Sequence, residues 1–107
     1  MARLTSITSK DQVPAKHQAA VESIIKSRGA IQGPLTMFLH SPEVAVRVAH
    51  LGAYVRFEGS LDLRVVVLAA MTVGRHLDAM YVWGPHTSQA RKLQVAEETI
   101  TAIRENH

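Results

Sequence analysis

The stretch from Leu63 to Leu77 constrains the fold more than any other part of the chain. It is apolar nearly all round, broken only by Arg64, Thr72, Gly74, Arg75 and His76. Val65-Val66-Val67 alone would suit a strand, because β-branched side chains pack well on a pleated surface. The stretch is nevertheless too long for a typical strand and shows no alternation of apolar and polar residues. No second strand candidate exists to pair with it. It therefore reads as a helix, and a helix apolar on every side is a central helix.

The rest of the chain supplies helices to surround it. Pro14 fits a first helical turn, where its missing N–H costs nothing. Ala15 to Arg28 follows, with Ala19, Val21, Ile24 and Ile25 as a partial apolar stripe and Gly29 as the stop. Gly33-Pro34 marks a turn, and Leu35 to Leu39 a short apolar helical turn. Ser41-Pro42-Glu43 places a capping residue, a first-turn proline and an acid at the positive end of a helix. Val44, Val48, Leu51 and Val55 then recur at 4, 3, 4 spacing, which predicts a buried stripe on a helix reaching Phe57. Ser60 or Asp62 can cap the central helix, and Asp78 is expected to cap the next. That helix contains Pro85, so a kink or restart is expected near Val82 to Gly84. Glu97 to Glu105 closes the chain, with Ala96, Ile100 and Ile103 directed inward. The expected helices are 15–28, 42–57, 62–76, 79–93 and 97–105, in one all-α domain over 1–107 whose first twelve residues are mostly loop.

Composition excludes several functions. The 107 residues include no cysteine, which removes disulfides, thiol peroxidase chemistry and cysteine-ligated zinc. The longest apolar run, Val65 to Met71, is far short of the ~20 residues of a membrane span. The first residues lack the apolar segment of a signal peptide. A soluble, cytoplasmic protein that does not act at a membrane is the expectation. The net charge is +3, but the arginines and lysines are scattered and form no recognition motif. No nucleic-acid partner is therefore expected, while dispersed cations suit a small anionic substrate.

The chemistry-bearing stretch is Met80 to Arg91. It holds the only Trp, one of two Tyr, and His86 one helical turn beyond Trp83. At ~3.6 residues per turn, Trp83, His86/Thr87, Ala90 and Leu93 share a face. An imidazole beside an aromatic ring can pass a proton in either direction within a pocket. Equally, such a histidine can be a partly buried core residue bonded to a backbone carbonyl, and Trp83 and Tyr81 can be ordinary packing. Arg64 and Arg75 lie three turns apart on the central helix. They can hold a substrate carboxylate or form rim ion pairs. His76, Asp78 and His86 match no metal-ligand spacing, and none is assigned to a metal.

Three strings in order carry a resemblance: His40-Ser41-Pro42-Glu43, Leu61-x-x-Arg64 opening the apolar helix, and Tyr81-x-Trp83-x-x-His86-x-x-x-Ala90. Together they resemble the carboxymuconolactone decarboxylase family, which includes the alkylhydroperoxidase-like proteins. The resemblance spans about Pro34 to Ile103. It implies an all-helical, alkylhydroperoxidase-like bundle of five or six helices that forms a homo-oligomer, a trimer or hexamer. It implies a cofactor-free lyase acting on a small carboxylated lactone or related acid. In that reading His86 is the catalytic acid/base, and Trp83, Tyr81, Arg64 and Arg75 line the substrate site. The chain departs from the family pattern at three places. Val65 and Val82 stand where such members carry glutamates, and Gln94 stands where a glycine follows the histidine helix. The alternative implied by those departures is a non-catalytic oligomeric binding or scaffolding member.

Overall fold

In a computed structural model, residues 3–106 are described; their secondary structure is all helical, joined by turns, with no strand among them. The order is α1 (Gln18–Arg28), α2 (Leu35–Phe38), α3 (Pro42–Ala53), α4 (Leu63–His76), α5 (Met80–Lys92) and α6 (Glu97–Glu105). Short 3-10 turns at Lys10–Gln12 and Ala15–His17 precede α1, and a π turn, Tyr54–Glu58, extends α3. The expected spans hold to within a few residues. Of the twelve opening residues expected to be mostly loop, Met1 and Ala2 lie outside the described residues. The chain divides into two compact units, Met1–Glu58 and Gly59–His107.

The first unit packs α1 on α3. Its core is Ile7, Val13, Val21, Ile24, Ile31, Leu35, Leu39, Ala45 and Ala49. Gly29 ends α1 in the left-handed region, φ 82°, and its N–H donates to Ile25 O. That conformation is one glycine adopts without steric cost. Arg28, the last residue of α1, donates from Nη2 to Ala49 O at 3.0 Å. It reaches that carbonyl because Gly52 has no side chain: a methyl there would sit 2.7 Å from Nη2. Burial lowers the pKa of this guanidinium, and the charge of Arg56 lowers it further.

The 4, 3, 4 stripe of α3 does not lie where the spacing predicts. Val44, Val48, Leu51 and Val55 are exposed, and the buried positions are Ala45 and Ala49. Small residues let the α3 backbone approach α1 closely, so the alanine face packs inward and the large side chains turn outward.

The second unit packs α4, α5 and α6 around Val67, Met71, Ala90, Val95 and Ile100. Met71 and Ile100 are almost fully buried, each stabilising the unit by about 1.5–3 kcal/mol. Asp62 caps α4 as expected, its Oδ1 accepting from the Arg64 N–H at 2.8 Å. Burial on α4 is one-sided rather than all round. Val67, Met71 and Gly74 are covered, while Val65 and Val73 are exposed. Two helices, α5 and α6, cover only one side of this fourteen-residue helix.

The exits of α4 and α5 are Schellman motifs. After α4, Asp78 N–H donates to Arg75 O and Ala79 N–H to Gly74 O, with Asp78 left-handed at φ 50°. After α5, Gln94 N–H donates to Arg91 O and Val95 N–H to Ala90 O, with Gln94 at φ 59°. Val95 and Ala90, both buried, provide the apolar contact that accompanies this motif. Asp78 is thus the C-terminal stop of α4 and not the N-cap of α5, a position that falls to Ala79.

Candidate functional site

The site residues named from the sequence lie on α4 and α5. Helix α5 runs without interruption through Pro85, where a kink or restart was expected. Pro85 lacks an N–H, so Tyr81 O loses its helical donor. Tyr81, Gly84 and Pro85 are all exposed, so water can take the place of that donor and the helix continues.

Along α5 the predicted face is real. Thr87 and Ala90 are buried, and Trp83, His86 and Leu93 are half-buried. Trp83 packs against the core cluster of the second unit. Tyr81 lies off this face and is exposed.

The imidazole of His86 is held by the backbone. Nδ1 lies 2.8 Å from Val82 O, one turn earlier. A carbonyl oxygen only accepts, so Nδ1 carries the hydrogen and donates it, which fixes the tautomer. In the neutral ring Nε2 is then the bare acceptor. The side chain of the same Val82 is pressed against α4. A methyl placed on Gly74 would approach Val82 Cγ1 to 2.9 Å. Val82 therefore positions His86 with its carbonyl and joins two helices with its side chain.

The two arginines have different surroundings. Arg75 donates from Nε to Arg104 O at 2.6 Å and from Nη1 to Asp78 Oδ1 at 2.9 Å. It ties the last turn of α6 and the stop of α4 together, where a cation favourably meets helix-terminal carbonyls. Its ion-pair partner is Asp78, three residues on. Arg64 is exposed, and its side chain makes no hydrogen bond or ion pair among the described residues.

One polar group that sequence reasoning passed over is Thr87. It is 7% exposed, and its Oγ1 is buried with no hydrogen-bond partner among the described residues. A helical threonine commonly back-bonds to the carbonyl four residues earlier, and this one does not. The only available signal was its place beside His86 on an otherwise apolar face. An open depression of about 360 Å³ runs along α6, lined by Glu97, Glu98, Thr101, Ala102 and Glu105. Its carboxylates repel an anionic substrate. Among the described residues no group of three His, Asp or Glu side chains converges as a metal site. Among the described residues no helix is long and apolar enough to cross a membrane either.

No protein-family model, curated protein or solved structure matches this chain.

Proposed function

We propose that the chain is a carboxymuconolactone decarboxylase-like protein, a cofactor-free lyase that works as a homo-oligomer on a small carboxylated lactone or related acid. The observation that supports this most is the His86–Val82 hydrogen bond. It holds the imidazole in one tautomer and leaves Nε2 free to exchange a proton. When the carboxylate leaves as carbon dioxide, the electron pair of the broken bond passes into the lactone carbonyl. Protonated His86 then delivers a proton from Nε2 to the carbon. Trp83 walls the site, and Arg64 is the arginine left free to meet a carboxylate, while Tyr81 lies off that face. The resemblance carried by Tyr81, Trp83, His86 and Ala90 points the same way. Self-association follows from the exposed face of α4 and the start of α5. There Val65, Val73, Leu77, Met80 and Tyr81 are each more than half exposed, a surface that water disfavours and a second copy would cover.

A second reading is a non-catalytic oligomeric member that binds or scaffolds. It is favoured by the surroundings of His86, whose hydrogen bond goes to a carbonyl and not to an acid. Val65 and Val82 supply no carboxylate, and Arg75 is engaged elsewhere. A screen of carboxylated lactones and related small acids for carbon dioxide release decides between the two. Turnover without added metal or cofactor supports the lyase. An oligomer by light scattering with no turnover across the screen supports the scaffold. A monomer at micromolar concentration overturns the oligomer in both.

A further inference from the structure

We propose that α3 and its π turn form a two-fold contact, in which this apolar face pairs antiparallel with the same face of a second copy. The contact deepens the homo-oligomer reading above, but it uses a different surface, so the two can fail separately.

The inner side of α3 is already used, with Ala45 and Ala49 buried against the core of the first unit. The outer side carries Val44 (44% exposed), Val48 (36%), Leu51 (65%), Tyr54 (56%) and Val55 (39%). Four of these recur at 4, 3, 4 spacing, the spacing of a two-helix seam. In the wider π turn a separation of four falls closer to one full turn, which keeps Val55 in line with Leu51.

The pattern reads the same in both directions. With a dyad between Ala49 and His50, Val44 of one copy meets Val55 of the other, and Val48 meets Leu51. Every apolar seam position then faces an apolar one, as an isologous contact requires. Arg47 and Tyr54 lie on one flank of the stripe, and the same dyad brings Arg47 of one copy beside Tyr54 of the other, within reach of a cation–π contact. Glu43 and Arg47 pair with each other at 3.4 Å on that flank, so the seam itself holds no charge. The exposed parts of the five apolar side chains amount to on the order of 400 Å², within the range of the largest patches on monomers. A standard interface needs ~800 Å² per partner, so this face supplies about half of one. Its lack of lysine and its self-matching order suit a second copy of this chain.

The absence of cysteine gives a clean test. Val44→Cys and Val55→Cys are made separately, and each variant then carries a single thiol. Each alone and their 1:1 mixture are treated with the thiol crosslinker dibromobimane. The expected result is several-fold more crosslinked dimer in the mixture than in either variant alone. Equal yields from the single variants mean parallel pairing and overturn the proposal. So does the absence of product from every sample. A companion variant, Leu51→Asp, alters an exposed position. It should reduce the mass by light scattering while helicity by circular dichroism is kept. Unchanged mass with a lowered melting temperature means the stripe is covered within one chain, which also overturns the proposal. Leu77→Asp, aimed at the α4–α5 surface, separates the two readings. A crosslink that persists while Leu77→Asp lowers the mass supports both. A crosslink with no effect of Leu77→Asp keeps this contact and removes the other. A mass that falls with Leu77→Asp when no crosslink ever forms does the reverse.

Discussion

Val82 Cγ1 packs so closely on Gly74 that a methyl group at Gly74 would come within 2.9 Å of it. The contact sets the spacing of α4 and α5, and the same Val82 holds His86 through its carbonyl. The helix pair and the candidate site therefore share one residue.

Gly74→Ala should push the two helices apart. Alanine gains about 0.5–1 kcal/mol of helix preference over glycine, but overpacking costs about 1–3 kcal/mol. A net loss of stability is expected in urea unfolding. The double variant Gly74→Ala/Val82→Ala should recover part of it, because the clash is between those two side chains. Additive losses would show that the close contact does not set the helix spacing.

His86→Gln tests the lyase reading. Removing a general acid/base typically costs on the order of 10²–10⁴ in rate. Helicity and oligomer mass should stay unchanged. Undiminished turnover on any substrate found in the screen would remove His86 from the mechanism.

Gln94→Gly should stabilise the protein. Gln94 ends α5 in the left-handed region at φ 59°, a conformation that costs a side-chain-bearing residue roughly 1–2 kcal/mol. Glycine removes that strain but loses more entropy on folding. A gain of about 0.5–1 kcal/mol is expected, a rise of several degrees in Tm. A lower Tm would mean that the glutamine side chain contributes more than the strain costs.

Thr87→Val exchanges a buried, unpartnered hydroxyl for a methyl of similar size. An unsatisfied buried polar group costs about 1–3 kcal/mol, so the variant should melt higher. A large loss of stability would show that the hydroxyl has a partner in solution, such as a buried water.

The Arg91–Glu97 pair ties the end of α5 to the start of α6, with Arg91 Nε donating to Glu97 Oε1 at 2.7 Å. That hydrogen bond, aided by the positive charges of Arg91 and Arg104, lowers the Glu97 pKa. A carboxyl depressed in the folded state stabilises above its unfolded pKa, and the contribution is lost as pH falls through the folded value. Arg91→Ala should therefore destabilise at neutral pH, and the difference from the parent should shrink in acid. The Glu97 carboxyl resonance should titrate at higher pH in the variant. An unchanged midpoint would show that the pair does not persist in solution.

By itself, the sequence determined the helices and most of their ends. The helical character of Leu63 to His76, the stop at Gly29 and the cap at Asp62 are local properties, fixed by backbone sterics and hydrogen bonds within a few residues. It also placed Trp83, His86, Thr87 and Ala90 on one side of α5, since helical geometry alone decides that. Having no cysteine, the chain excluded thiol chemistry outright. The tertiary structure decided which apolar face is covered. On α3 the large side chains of Val44, Val48, Leu51 and Val55 follow a proper helical period, yet Ala45 and Ala49 are buried. Spacing reports that a face is apolar; how closely two backbones approach decides whether it is the inner one. Tertiary structure likewise decided that Asp78 closes α4 and that Arg75 serves α6 and Asp78. It also decided that a carbonyl, not an acid, holds His86. Those partners depend on where separate helices bring their ends, and no local period encodes that.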